Sequence, residues 1–137
     1  MKKILAALLS VALLTCFLCP YVFADSIQPL WDYVTDISGT LNISSGGVAS
    51  VTADGSATRR GVTNCTLIAS LQQLKNGHWT ELKSWSRSAE NCGTSLSTKK
   101  WAVAHGYEYR LVITLEAYDD TQLLESGSGT IYYGMFD

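Results

Sequence analysis

Residues 107–117 read Tyr107-Glu108-Tyr109-Arg110-Leu111-Val112-Ile113-Thr114-Leu115-Glu116-Ala117, and this run decides the fold. Its odd positions are Tyr, Tyr, Leu, Ile, Leu and Ala, whereas the even ones are Glu, Arg, Val, Thr and Glu. Successive side chains of a β-strand point to opposite faces, so this alternation sets an apolar face against a core and a mostly polar face towards water. A helix would need apolar residues three and four apart, a period that does not recur after Ala24. Working back along the chain, Cys65-Thr66-Leu67-Ile68-Ala69-Ser70-Leu71-Gln72 repeats the pattern, with Cys, Leu, Ala and Leu at the odd positions. These two segments are the predicted core strands.

Turn chemistry divides the rest. Lys75-Asn76-Gly77-His78 contains Asn-Gly, the strongest short hairpin signal, because a type I′ turn needs positive φ at both central residues. The strand beginning near Trp79 is therefore predicted to pair antiparallel with the Cys65 strand. Further breaks fall at Ser44-Ser45-Gly46-Gly47, Asp54-Gly55-Ser56 and Asp119-Asp120-Thr121. The resulting strands lie near 35–43, 48–54, 64–74, 79–86, 95–103, 107–118 and 123–133. Seven short strands predict an all-β, antiparallel β-sandwich of the immunoglobulin and fibronectin type III kind, with an up-and-down barrel as the alternative. Val103-Ala104-His105-Gly106-Tyr107-Glu108-Tyr109 resembles the fibronectin type III turn, with His105 where that turn carries proline. Tyr109 is then the tyrosine whose hydroxyl bonds back to upstream backbone, and Tyr107, of the same parity, is the other choice.

The first 24 residues read differently. Lys2 and Lys3 precede an apolar run from Ile4 to Leu18, then Pro20 and the small-residue site Val22-Phe23-Ala24, which is the pattern of a secretory signal peptide. Residues 25–137 would then form the single mature domain. A signal anchor is disfavoured by the short apolar run, and Leu13-Leu14-Thr15-Cys16 only partly matches a lipoprotein attachment site. Cleavage after Ala24 removes Cys16 and Cys19 and leaves Cys65 and Cys92, 27 positions apart, as the thiols of a secreted chain. In an oxidising compartment these predict one disulfide.

Composition bounds the function. The 137 residues are 47% hydrophobic and 16% charged, which suits one packed domain and opposes disorder. Without Lys2 and Lys3 the chain keeps eight basic and twelve acidic residues, a balance that gives no footprint for nucleic acid or, after cleavage, for a membrane. Catalytic constellations are sparse. His78 and His105 fall in turns, no G-x-S-x-G or H-E-x-x-H occurs, and Asp119-Asp120 would hold calcium only with several more oxygens. Two cysteines and two distant histidines do not make a metal site, and no cofactor is implied. Asn42-Ile43-Ser44 and Asn64-Cys65-Thr66 are formal glycosylation sequons without meaning in a bacterial source. The aromatics carry more information. Trp79, Trp85 and Trp101 are the candidate ligand-binding residues; Trp79 and Trp85 share strand parity and fall on one face unless a bulge intervenes. They form either a strip that stacks on sugar rings or part of the core.

Gln28-Pro29-Leu30-Trp31-Asp32-Tyr33, Leu41-Asn42-Ile43-Ser44 with Gly47, Leu71-Gln72-Gln73 through Asn76-Gly77-His78-Trp79, Lys83-Ser84-Trp85-Ser86 and Gly106-Tyr107-Glu108-Tyr109-Arg110 together resemble a family of small uncharacterised exported proteins of clostridia and other Gram-positive bacteria. The resemblance covers most of residues 28–133 and implies fold and export, with no activity to carry over. The expected function is a secreted, extracellular, non-catalytic binding or surface-interaction module whose ligand is a glycan or another protein. A secreted antibacterial or inhibitory effector is the alternative, and a small hydrolase a third.

Overall fold

The computed structural model describes residues 31–90 and 93–137. Residues 1–24, expected from the sequence to be a signal peptide, and Cys92, expected to pair with Cys65, lie outside the described residues. Seven strands follow in order: β1 Val34–Ile43, β2 Val48–Ala57, β3 Asn64–Lys75, β4 His78–Ala89, β5 Gly93–Ala102, β6 Tyr107–Asp119 and β7 Gln122–Phe136. They form two antiparallel sheets, one in the order β1-β2-β5 and one in the order β4-β3-β6-β7, packed face to face as a sandwich. Each predicted strand is present, several longer than expected. The last runs on to Phe136 because Tyr133 is bulged out and pairing resumes at Gly134, opposite Tyr109, where the glycine accepts the φ of 89° that the bulge requires.

The core is the pair of inner faces. From the larger sheet come Leu67, Ala69 and Leu71 of β3 with Tyr109, Leu111, Ile113 and Leu115 of β6, all fully buried or nearly so. Opposite them β2 offers Ala49, Val51 and Ala53, and then Gly55. Large meets small. A Cβ on Gly55 would sit 2.9 Å from Leu115 Cδ1 and 3.0 Å from Leu67 Cδ1, so the leucines fill the space that glycine leaves. Tyr109, with no exposed surface, donates its hydroxyl to the Ala104 carbonyl at 2.7 Å and accepts from Gln73 Nε2 at 2.9 Å. It, rather than half-buried Tyr107, is the tyrosine bonded to upstream backbone. All seven strands and this core lie within residues 34–136.

Cys65 is buried on β3, with Ala89 and Ala117 as its cross-strand partners. The segment entering β1 is fixed by one carboxylate. Glu125 accepts from the backbone N–H groups of Asp32, Tyr33 and Val34 at 2.9, 2.8 and 2.6 Å, while Trp31 lies against Gly127 of the same strand. Burial by itself would push the Glu125 pKa up, but the three donors outweigh it and hold the carboxyl below the ordinary glutamate value.

Candidate functional site

The β3–β4 turn forms as its sequence requires, with φ 53° at Asn76 and 78° at Gly77. Pairing then runs from Lys75↔His78 through Gln72↔Glu81 and jumps to Leu71↔Lys83, which leaves Leu82 as an extra residue in β4. Such a bulge inverts side-chain parity beyond it. Trp79 faces Leu74 on the outside of the sheet, whereas Trp85 faces Ala69 on the inside, half-buried against the core. The single-face strip allowed by simple alternation does not form. Trp85 is a core-edge residue, and Trp79 alone of the pair is on the outer surface.

Trp79 has neighbours that sequence spacing did not reveal. Arg110, on the outward parity of β6, sets its guanidinium carbon 4.3 Å above the centre of the Trp79 ring. Tyr132, opposite Arg110 in the register, meets that ring edge-on with centroids 6.1 Å apart and planes at 64°. Beside it Tyr133 sends its hydroxyl to the Ile43 carbonyl at 3.3 Å. Tyr132 is 66% exposed and presents an open ring, while Arg110 covers part of the indole.

A polar chain fixes this platform from below. Arg110 Nε donates to Gln72 Oε1 at 2.8 Å, Gln72 Nε2 to Ser70 Oγ at 3.3 Å, and Ser70 Oγ to Glu81 Oε2 at 2.6 Å. It crosses from β6 through β3 to β4, so three strands share the orientation of one guanidinium. Rotamers held in this way lose little freedom when a ligand arrives. The remaining guanidinium N–H groups and the Glu81 and Glu108 carboxylates supply both donors and acceptors around the rings.

Trp101 is elsewhere. It lies on β5 opposite Ala49, at the seam where the edges of the two sheets meet, 39% exposed, with Lys83 Nζ 5.2 Å from the ring centre. The three candidate tryptophans thus occupy three separate positions: outer face, core edge and seam.

At the opposite end of the sandwich a groove of about 590 Å3 is lined by Asn64, Thr66, Ser88, Glu90, Tyr118 and Asp120 among others. Its hydrogen bonds are internal. Tyr118 donates to Glu116 Oε2 at 2.6 Å, and that bond first, then burial and the Glu116 charge, raise the phenol pKa. Asn64 Nδ2 donates to the Asp120 carbonyl at 3.0 Å, and the Asp120 amide to Thr63 Oγ1 at 2.6 Å. The groove holds carboxylates and hydroxyls but no histidine. His105 stacks on Phe136 with centroids 4.2 Å apart, and His78 pairs with Lys75 at the hairpin turn. Among the described residues no three His, Cys, Asp or Glu side chains group as metal ligands. No family model matches the chain, and no curated protein matches it either. The resemblance to exported clostridial proteins gains no support from these comparisons, and the site rests on geometry alone.

Proposed function

We propose that the chain is an exported, non-catalytic binding module of immunoglobulin and fibronectin type, acting outside the cell through the Trp79–Arg110–Tyr132 platform. Support for the fold type comes from the strand order β1-β2-β5 and β4-β3-β6-β7 with the Tyr109 hydroxyl bonded to Ala104. The observation that carries the function is the platform itself: an open tyrosine ring beside an arginine whose orientation is fixed through three strands. Exposed rings stack on apolar sugar faces, and the flanking amide, guanidinium and carboxylate groups match sugar hydroxyls. Farther along the same outer face Ser and Thr pair across strands, at Thr66–Ser88 and Thr114–Ser128, unlike the core of a protein–protein interface, where serine is depleted. A glycan is therefore the first ligand class. Met135, 51% exposed in the next register row, favours an extracellular protein as the second.

Export rests on the signal-peptide pattern at 1–24, and a chain starting at Asp25 in the culture supernatant is its test. A Cys65–Cys92 bridge would tie β3 to the segment between β4 and β5, and its support is the sequence: these are the two cysteines left after cleavage at Ala24. Reduction of that bridge is expected to cost about 3 kcal/mol of stability. The binding reading is tested on a glycan array and by capture from culture proteins. Tyr132→Ala and Arg110→Ala abolish retention, while Trp101→Ala keeps it. Retention that survives Tyr132→Ala, or turnover of the retained glycan, overturns the reading.

A further inference from the structure

Charge is unevenly spread along the strands. In the half that carries the β1–β2, β3–β4 and β5–β6 connections, Lys75, Lys83, Lys99, Lys100 and Arg110 face three acidic side chains, Glu81, Glu108 and Asp137. In the other half Arg59, Arg60 and Arg87 face eight described carboxylates, among them Asp36, Asp54, Glu90 and Glu116. The acidic balance of the whole chain hides a basic end. Lys83, remote in sequence, stands over the Trp101 ring, while Lys99 and Lys100 precede Trp101 on β5, Lys99 on the same face of the strand and Lys100 on the other. Next to them a shallow groove of about 310 Å3 is lined by Val48, Lys100, Trp101 and Ala102. Val48 and Trp101 are 37% and 39% exposed.

We infer that this seam corner, Val48, Trp101 and Lys83, Lys99 and Lys100, docks on an anionic phospholipid surface. The inference goes beyond the proposed function and uses residues that reading does not. An indole beside apolar groups suits the boundary between headgroups and acyl chains, because its ring is apolar and its N–H can stay hydrated. Lysine stems lie along apolar surface with the ammonium at headgroup level. Each basic residue near such a surface adds attraction, and the carboxylates of the opposite half orient the basic end inwards. A soluble polyanion would use the lysines and leave Val48 and the apolar groove without a role.

The test is partitioning of the chain from Asp25 onto vesicles of phosphatidylcholine alone and of phosphatidylcholine with phosphatidylglycerol, followed by sedimentation and tryptophan fluorescence. Leaving out the leader keeps its own affinity for lipid out of the result. The expected result is blue-shifted emission and partitioning on the anionic vesicles alone, weakening as salt rises. The pair Lys99→Gln/Lys100→Gln, surface changes that keep the urea midpoint, should weaken partitioning by roughly tenfold or more. Trp101→Ala should weaken it and remove the blue shift, while Trp79→Ala should leave it unchanged and lose the glycan or protein ligand. Absence of partitioning, equal partitioning on neutral vesicles, full partitioning by the lysine pair variant, or binding to soluble polyphosphate without vesicle binding overturns the inference and leaves the platform reading untouched.

Discussion

Between β3 and β6 the register runs from Asn64↔Tyr118 to Leu74↔Glu108 without a shift, whereas both outer pairings of the same sheet slip, β4 at Leu82 and β7 at Tyr133 and again at Leu124. The centre is held on both sides by hydrogen-bonded strands and on its inner face by the opposing sheet. The edges are free on one side, so an extra residue costs little there and re-aims the chain. Both rings of the platform, Trp79 and Tyr132, come from these bulged strands, and the arginine and glutamine that anchor them come from the regular ones. A rigid middle thus carries a surface made by irregular margins. The edge strand β4 also points Lys83 and Arg87 inward along the seam, a feature that discourages pairing with another chain.

The comparison fails first if the centre is not the main store of stability. Leu111 is fully buried between Leu71 and Ile131, and Leu111→Ala should lower unfolding stability by about 3 kcal/mol, read as a fall in the urea midpoint at constant slope. A loss no greater than that of an edge variant such as Leu123→Ala would sink the idea. Tyr109→Phe comes next. It keeps the ring in the core but strands the Ala104 carbonyl and the Gln73 amide, so a cost of about 2 kcal/mol is expected. A midpoint unchanged within error would mean that the hydroxyl does not fix the turn at His105-Gly106, and would weaken the immunoglobulin-type assignment.

The same contrast explains what the sequence revealed. Alternation over Tyr107–Ala117 and Cys65–Gln72 is visible because strands buried on one face and paired on both sides have no slack, and the Asn76-Gly77 turn is visible because few residues accept positive φ. The platform was not visible. Counting by twos puts Trp79 and Trp85 together, and only Leu82, an apolar residue out of phase between Glu81 and Lys83, signals the bulge that parts them. Adjacent Tyr132 and Tyr133 give no parity at all. The Arg110–Gln72–Ser70–Glu81 chain depends on the β3–β6 register, which joins residues 38 apart and cannot be read from local spacing. Lys99-Lys100 beside Trp101 was legible in the sequence, but Lys83 was not, since it reaches the Trp101 ring from the other sheet.

The smallest effect belongs to an edge. Glu125 sits on β7 next to its Leu124 bulge and holds three consecutive backbone N–H groups of the segment that enters β1. Its folded pKa lies below the ordinary glutamate value of 4.5, so the stability it supplies is fully present above that value and is lost as pH falls through the folded pKa. Glu125→Gln keeps the shape and removes the charge. At neutral pH the variant should be less stable by about 1 kcal/mol, because a partly exposed carboxylate is screened and the amide oxygen still accepts some of the bonds. As pH drops below 4.5 the two proteins should converge, the wild type losing what the variant never had. Urea midpoints measured for both proteins from neutral to acid pH decide the matter. A gap that stays constant through the carboxylate range would show that charge on Glu125 does not hold the segment, and that Trp31 packed against Gly127 secures this edge by contact alone.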